Sequence, residues 1–133
     1  MSQENTELLR RAVDAFNRRD VDDFLAYTDP EIEFTPYERA VEGLGPYRGH
    51  EGVRAWWQNS FEAFPDLTAE LHEVRGHGDK TVARGRLFGT GAGSGAAFER
   101  MLWLAHKWHD GKTVWWYAFE DEADALKAVA LEE

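Results

Sequence analysis

Turn signals divide the second half of the chain into four strand-like segments. The segments span residues 67–75, 81–90, 97–108 and 112–119, and the stretches between them are rich in glycine. Short turns of this kind join neighbouring strands that run in opposite directions. This half of the sequence therefore predicts a four-stranded antiparallel meander, against which the rest of the chain must fold.

The first half has the three-to-four spacing of apolar residues that is typical of amphipathic helices. Residues 5–19 and 51–64 show this spacing, and Asp20 is expected to cap a shorter helix that follows the first one. Residues 31–35 alternate like a strand, whereas residues 36–49 are rich in Gly and Pro and are predicted to form a long loop.

A short C-terminal helix, predicted for residues 122–131, completes the order of elements. That order is helix, helix, strand, helix, four-strand meander and helix. With 133 residues the chain is long enough for one hydrophobic core but not for two. We therefore expect a single α+β domain over residues 1–133.

The charge and the cysteine content of the chain exclude several partners. The formal net charge of -10 repels phosphate backbones and anionic membrane surfaces, so we expect neither a nucleic-acid nor a membrane partner. The sequence has no cysteine, no apolar leader and no apolar run long enough to cross a membrane. A cytoplasmic location is the simplest expectation.

Four short stretches of sequence resemble one known family. They are Ala-Phe-Asn-Arg-Arg-Asp at 15–20, Asp-Pro-Glu-Ile-Glu-Phe at 29–34, Tyr-Arg-Gly-His-Glu-Gly-Val at 47–53 and Asp-Gly-Lys at 110–112. In this order they resemble the SnoaL-like branch of the nuclear transport factor 2-like superfamily. The resemblance implies a cone, in which a curved, mostly antiparallel sheet wraps around three N-terminal helices and a pocket opens at the wide end.

The resemblance leaves the chemistry open, because the superfamily includes isomerases, polyketide cyclases, dehydratases, epoxide hydrolases and non-catalytic binding modules. The positions that match the catalytic residues of ketosteroid isomerase-like members are Ala12, Pro36 and Leu104, none of which can exchange a proton. Isomerase chemistry of that kind is therefore disfavoured, and no catalytic residue is assigned. An enzyme of this family would use cofactor-independent acid–base chemistry as an isomerase, cyclase, dehydratase or hydrolase.

Large side chains at inward positions are expected to form the pocket wall. They are Phe34, Tyr37, Trp57, Phe61, Phe88, Leu104, His106 and Trp116. A histidine among apolar neighbours is more often a hydrogen-bonded wall residue than a base. With a three-residue turn before Lys112, His106 lies opposite Val114 and Glu120 lies opposite Arg100, which places His106 and Glu120 roughly 20 Å apart and excludes them as a pair.

Two arginines, Arg84 and Arg86, share a strand face with Val82 and Phe88, and the family alignment turns this face inward. Two interpretations stay open. The arginines form a salt-bridged ladder with carboxylates such as Glu70, because buried charges must be paired. Alternatively, they anchor a carboxylate or another anionic group of a ligand. The histidine spacing gives no metal-ligand pattern, so neither a metal nor a cofactor is expected.

The opposite face of the last two strands is unusually aromatic for a sheet surface. It carries Trp103, Trp115, Tyr117 and Phe119. Because a short C-terminal helix can cover little of this area, we expect a homodimer that pairs through it.

Together these features predict a small-molecule pocket protein that binds or acts on a small hydrophobic metabolite, one that can carry a carboxylate. The first alternative is a polyketide cyclase-, isomerase- or dehydratase-like enzyme. The second is a non-catalytic dimeric interaction module whose cone is filled by side chains.

Overall fold

The computed structural model describes residues 2–129, which form five helices and one six-stranded sheet. The helices are α1 (Ser2–Asn17), α2 (Val21–Ala26), α3 (Tyr37–Val41), α4 (Gly49–Ala63) and α5 (Glu122–Val129). The strands are β1 (Thr28–Thr35), β2 (Tyr47–Arg48), β3 (Thr68–His77), β4 (Lys80–Thr90), β5 (Ala97–His109) and β6 (Lys112–Phe119). The predicted end of the last helix, at residues 130 and 131, lies outside the described residues.

The strands follow the order β2-β1-β6-β5-β4-β3 across the sheet. Strands β3 to β6 form the predicted antiparallel meander, and β1 joins its β6 edge in parallel, with Phe34 opposite Trp116. The helix α1 packs against β3, and α4 packs against β1, so the helices lie within the curve of the sheet. The α+β cone predicted from the sequence is confirmed.

The segment predicted as a loop, residues 36–49, contains two short elements. Pro36 has no N–H group to donate to a neighbouring strand, and β1 ends immediately before it. The chain then forms α3 and returns to the sheet at β2, where Tyr47 pairs with Phe34. This excursion carries α3 out of the sheet at the wide end of the cone.

The two faces of the sheet have different partners. The inner face, which packs against α1, α2 and α4, contributes Ala83, Trp108 and Trp116 to the main hydrophobic core. The outer face contributes Val82 and Ala105 to a smaller cluster, in which α5 buries Ala125 and Val129. The C-terminal helix thus covers part of the outer face.

The turn between β5 and β6 is shorter than predicted. Asp110 and Gly111, with φ of 51° and 77°, form a two-residue connection in which both residues are left-handed, as in a type I′ turn. A bulge then follows between Lys107 and Trp108, and His106 lies opposite Trp116 instead of Val114. The predicted register was therefore wrong by two residues, although the residues assigned to the inner face of β5 and β6 stay on it.

The side chain of Asn17 joins α1 to the free edge of β3. Its amide nitrogen donates to the Ala69 carbonyl at 2.8 Å, and its amide oxygen accepts from the Ala69 N–H group at 2.9 Å. These two bonds satisfy the backbone of Ala69 as a further strand would, so the side chain fixes the helix against the sheet edge.

No helix within residues 2–129 combines the length and the apolar character that a membrane crossing requires.

Candidate functional site

A cavity of about 80 Å³ lies between the inner face of the sheet and the helices. We call it the deep cavity. It is lined mainly by apolar and aromatic side chains from α1 to α4 and from five strands: Val13, Phe16, Phe24, Phe34, Pro36, Tyr37, Trp56, Ala69, Glu70, Leu71, Gly85, Arg86, Leu87, Leu102, Leu104, Trp116 and Ala118.

Aromatic packing gives the deep cavity a firm wall. The ring of Phe34 lies 4.7 Å from that of Trp56 and 5.4 Å from that of Trp116, measured between ring centroids. Phe24 contacts Trp116 in the same way at 5.8 Å. Because each of these rings is held by its neighbours, the wall is preorganised for an apolar occupant.

A wider space of about 360 Å³, here called the vestibule, adjoins the deep cavity between α3, α4 and the sheet. Both spaces share Pro36, Tyr37, Trp56 and Leu87. The vestibule is also lined by Glu38, Tyr47, Asn59, Ser60, Ala63, Phe64, Leu67 and Phe98. The cone is therefore not filled, and its open end has a polar as well as an aromatic lining.

Four of the predicted wall residues line the deep cavity, namely Phe34, Tyr37, Leu104 and Trp116. Trp57 and Phe61 do not. They pack against Phe16 in the core between α1 and α4, at 5.4 and 5.0 Å between ring centroids. The neighbouring Trp56 takes the cavity position instead, because successive helical residues point about 100° apart.

His106 is also absent from the cavity wall, contrary to the prediction. Its side chain is completely buried behind Trp116, with the two rings edge to face at 4.4 Å. The Nδ1 atom is 2.9 Å from the Thr81 hydroxyl, which also accepts a hydrogen bond from Trp108. Burial lowers the pKa of His106 to about 3.

The ring of His106 is therefore neutral at pH 7. Its Nε2 atom is buried and has no hydrogen-bond partner among the described residues. Because the pKa is far below neutrality and the ring does not reach the cavity, the structure gives His106 a packing role rather than a part in proton transfer.

The prediction that Arg84, Arg86 and Phe88 face inward was wrong. Arg84 lies directly opposite Trp103 on β5, and this pair belongs to the outer face. Phe88 lies on the same face, with the Arg86 guanidinium 3.9 Å from its ring centroid. The inward positions of β4 are held by the smaller Ala83 and Gly85 and by Leu87.

The guanidinium of Arg86 is engaged by carboxylates. It binds Glu99 and also contacts the Glu70 carboxylate at 3.3 Å. Arg86 and Glu70 border the deep cavity, but their charges are directed to each other. Of the two interpretations, this contact corresponds to the salt-bridged ladder. Because Arg86 is paired and Arg84 lies on the outer face, neither arginine is free to anchor a ligand inside the cavity.

A third arginine, Arg100, stands at the mouth of the cone, where the sequence did not lead us to look for a site. Its Nε atom donates to the hydroxyl of Tyr37 at 2.9 Å, and that hydroxyl donates to the Glu120 carboxylate at 3.3 Å. The three residues come from β5, α3 and the end of β6. They link α3 to the sheet beside the opening.

Glu38 adds an ionisable group to the vestibule. Part of its side chain remains exposed to solvent, yet the surrounding protein raises the pKa of the carboxyl group above its usual range by desolvation. Among residues 2–129, no three His, Asp or Glu side chains are grouped as a metal site would require.

A sequence signal was present for some of the site residues that the prediction missed, but not for others. Val13 and Phe16 are one helical turn apart on the apolar stripe of α1, so the sequence pattern already placed them inside. Arg100 and Glu120 were predicted to face each other across the strands, but no local pattern indicated that both bind the Tyr37 hydroxyl.

Comparisons with known proteins agree with this architecture. An NTF2-like protein of unknown function from Burkholderia pseudomallei is 24% identical, with 96% of this chain and 97% of that chain covered and a TM-score of 0.77. IdmH from Streptomyces antibioticus, a proposed polyketide cyclase, is 23% identical over 95% and 98% of the two chains, with a TM-score of 0.74. TerC, crystallised with polyporic acid, is 19% identical over 96% and 98%, with a TM-score of 0.76.

At these identities the solved structures show a common fold and nothing more specific. Among curated proteins, the sequence has no significant match. The model of the SnoaL-like domain, however, matches residues 9–116, which is most of the chain and extends from α1 to β6. The protein therefore belongs to the family of SnoaL-like domains within the nuclear transport factor 2-like superfamily.

Proposed function

We propose that this protein binds a small, mainly apolar molecule, with the apolar body in the deep cavity and the polar end in the vestibule. The observation that carries the proposal is the unfilled aromatic cavity, which shares Pro36, Tyr37, Trp56 and Leu87 with a wider and more polar space. Apolar cavities with a few polar groups at one end are typical of small-molecule sites. The alternative of an interaction module requires a filled cone, which these two spaces oppose.

The ligand need not carry a carboxylate. Arg84 and Arg86 lie outside the cavity or are paired, so an anionic group would have to reach Arg100 at the mouth. There it would meet the carboxylates of Glu120 and Glu38. Like charges oppose each other at such short range, and we therefore propose a ligand without negative charge.

Intrinsic fluorescence tests this proposal, because Trp56 and Trp116 both line the deep cavity. Titration with 2-naphthol, a small aromatic probe that is neutral at pH 7, should change the emission with one saturable site. A linear, non-saturating change would contradict the proposal. Trp103→Tyr is a suitable control, because Trp103 lies on the outer face and the loss of its indole should leave the fluorescence response to the probe unchanged.

A second candidate function, acid–base catalysis, is supported by the hydrogen bonds of the Tyr37 hydroxyl. A phenol that donates to Glu120 and accepts from Arg100 can pass a proton to or from a bound molecule. Two of the structurally similar proteins are described as proposed polyketide cyclases. If this chain is an enzyme, Tyr37→Phe and Glu120→Gln should abolish turnover while binding persists; variants that retain turnover would exclude the mechanism.

We further propose a homodimer that pairs through the outer face. Trp115, Tyr117 and Phe119 stack along β6 with successive centroid distances of 5.8 and 4.4 Å, and all three remain partly exposed. The cluster that α5 forms with the sheet also contacts Trp103, Trp115 and Phe119, and it leaves all three partly exposed. The earlier expectations of one domain over residues 1–133 and of a cytoplasmic location are retained as proposals.

A further inference from the structure

The charged residues that line the two spaces are few. Glu70 and Arg86 border the deep cavity and bind each other, whereas Glu38 is the one charged residue among the described residues that line the vestibule. Within residues 2–129, the Glu38 side chain makes neither a salt bridge nor a side-chain hydrogen bond. No ion pair of the described residues therefore engages this carboxyl group, although the charge of Arg39 partly offsets the rise in its pKa.

The two arginines of this region, Arg39 and Arg100, already interact with other groups of the protein. The guanidinium of Arg39 lies 4.1 Å from the ring centroid of Tyr47 and donates to the Gly45 carbonyl at 3.2 Å. Arg100 donates to the Tyr37 hydroxyl, and its guanidinium lies 5.5 and 5.2 Å from the ring centroids of Tyr37 and Phe98. The remaining charged groups of this region, Glu42 on the same segment and Glu120 at the end of β6, have the same sign as Glu38. A positive charge that enters the vestibule thus meets more acidic than basic groups.

The rest of the vestibule lining suits an organic cation. Five aromatic residues line the space, namely Tyr37, Tyr47, Trp56, Phe64 and Phe98. Arginine guanidinium groups already lie over Tyr37, Tyr47 and Phe98, whereas no cation of the described residues covers Trp56 or Phe64. The faces of aromatic rings attract ammonium groups, most strongly where water is partly excluded. Desolvation already disfavours the charged form of Glu38 and raises its pKa, and an ammonium group beside it would offset that cost. The net charge of -10 favours the approach of a cation as well.

We propose that the vestibule binds the protonated amine of a ligand whose apolar body occupies the deep cavity, with Glu38 as the counter-ion and the rings of Trp56 and Phe64 as its aromatic contacts. This inference rests on the proposed function, because it assigns a chemical class to the polar end of the same ligand.

A pair of probes with the same ring and chain length tests the inference. The protonated 2-phenylethylamine and the neutral 2-phenylethanol are titrated into the protein at pH 7 and low salt, and binding is measured by calorimetry. We expect the amine to bind about tenfold more tightly than the alcohol, as one partly exposed ion pair with aromatic contacts would give.

Two variants assign the effect to one residue. Glu38→Gln keeps the size and a hydrogen-bond acceptor but removes the charge, so it should reduce the preference for the amine to about twofold or less. Glu42→Gln removes the same charge four residues later, outside both cavity linings, and should keep most of the preference. As the pH falls through the raised pKa of Glu38, amine binding should weaken, whereas alcohol binding should not change.

Three results would overturn the inference. If the alcohol binds as tightly as the amine, the apolar site exists but has no cation preference, and the proposed function stands without this inference. If the preference survives in Glu38→Gln, the cation is bound elsewhere. If neither probe nor 2-naphthol binds to protein with native circular dichroism, the proposed function itself fails and the inference fails with it.

Discussion

The Nε atom of Arg100 donates a 2.9 Å hydrogen bond to the hydroxyl of Tyr37, across a separation of 63 residues in sequence. This hydroxyl, which also donates to Glu120, makes the hydrogen bonds that join residues 36–46 to the rest of the described chain. The other hydrogen bonds found for this segment are internal, such as those from Ala40 to Pro36 and from Leu44 to Arg39. One phenol group therefore fixes α3 over the mouth of the cavity.

Tyr37→Phe should loosen α3 without unfolding the protein. The variant keeps the ring that lines both spaces but removes both hydrogen bonds of the hydroxyl. Because the mouth is exposed to solvent, we expect a loss of no more than about 1 kcal/mol in the free energy of unfolding. Hydrogen exchange measured by mass spectrometry should become several-fold faster in residues 38–46.

Tyr47→Phe is the matched control for this change. The Tyr47 hydroxyl has no hydrogen bond among the described residues, although its ring lines the vestibule and contacts Arg39. Exchange in residues 38–46 should remain at the wild-type rate. Equal acceleration in both variants would show that the hydroxyl of Tyr37 does not hold the segment.

The burial of His106 predicts a particular dependence of stability on pH. Its pKa falls from 6.5 to about 3 on folding, so between these values the unfolded chain binds a proton that the folded chain does not. The contribution of neutral His106 to the free energy of unfolding is fully present above pH 6.5. It is lost as the pH falls, by up to about 1.4 kcal/mol for each pH unit.

Replacement of His106 by Phe should remove that contribution. Urea unfolding of the variant between pH 6.5 and 4.5 should show a smaller loss of stability than the wild type. His109→Phe provides the control, because His109 is 73% exposed. A wild-type slope in His106→Phe would mean that the ring is not buried in the neutral form.

Gly49 is predicted to be intolerant of any side chain. Its φ of +70° is unfavourable for other residues, and a Cβ atom would lie 2.9 Å from the carbonyl oxygen of Pro30. Gly49→Ala should therefore reduce stability on the order of 2 kcal/mol. Gly45→Ala, where a Cβ atom would have no neighbour within 4 Å, should change it by less than about 0.5 kcal/mol in the same thermal denaturation experiment.

The proposed homodimer predicts a mass near twice 15.2 kDa in light scattering at micromolar concentration. Simultaneous replacement of Trp103 and Tyr117 by charged residues should shift the mass toward that of the monomer. The exposed Arg84 lies on the same face, and its replacement by Glu should weaken association to a smaller extent. A wild-type mass near 15.2 kDa would refute the dimer.

The elements of this fold were predictable where the signal was local. Apolar spacing within α1 and α4 and turn residues between the strands of the meander each involve neighbours in sequence, so their order and type could be read correctly. The register of β5 and β6 was not predictable, because the bulge beside Trp108 depends on packing. The short α3 was missed because only five residues form it.

Strand β4 shows why the cavity wall was only partly predictable, because the sequence did not indicate which of its side chains lie on the inner face of the sheet. Alternation divides this strand into one set with Val82, Arg84 and Phe88 and another with the smaller Ala83, Gly85 and Leu87. The first set has the larger apolar side chains but also the charge, so side-chain size and charge favoured opposite faces. The inward set is small at Gly85 because β3 approaches closely there: a Cβ atom at Gly85 would lie 3.0 Å from the Glu70 carbonyl oxygen. The hydrogen bonds at the mouth join residues 63 and 83 positions apart, which no local pattern can indicate.

The most direct test of the central claim is to fill the deep cavity. Leu104→Trp places a larger side chain into a wall position of the 80 Å³ space, whereas Leu126→Trp makes the same change on α5, beyond the outer face of the sheet. If the deep cavity holds the apolar body of the ligand, calorimetric titration with 2-naphthol should show at least tenfold weaker binding to Leu104→Trp and unchanged binding to Leu126→Trp. Unchanged binding to a natively folded Leu104→Trp would contradict the proposed site.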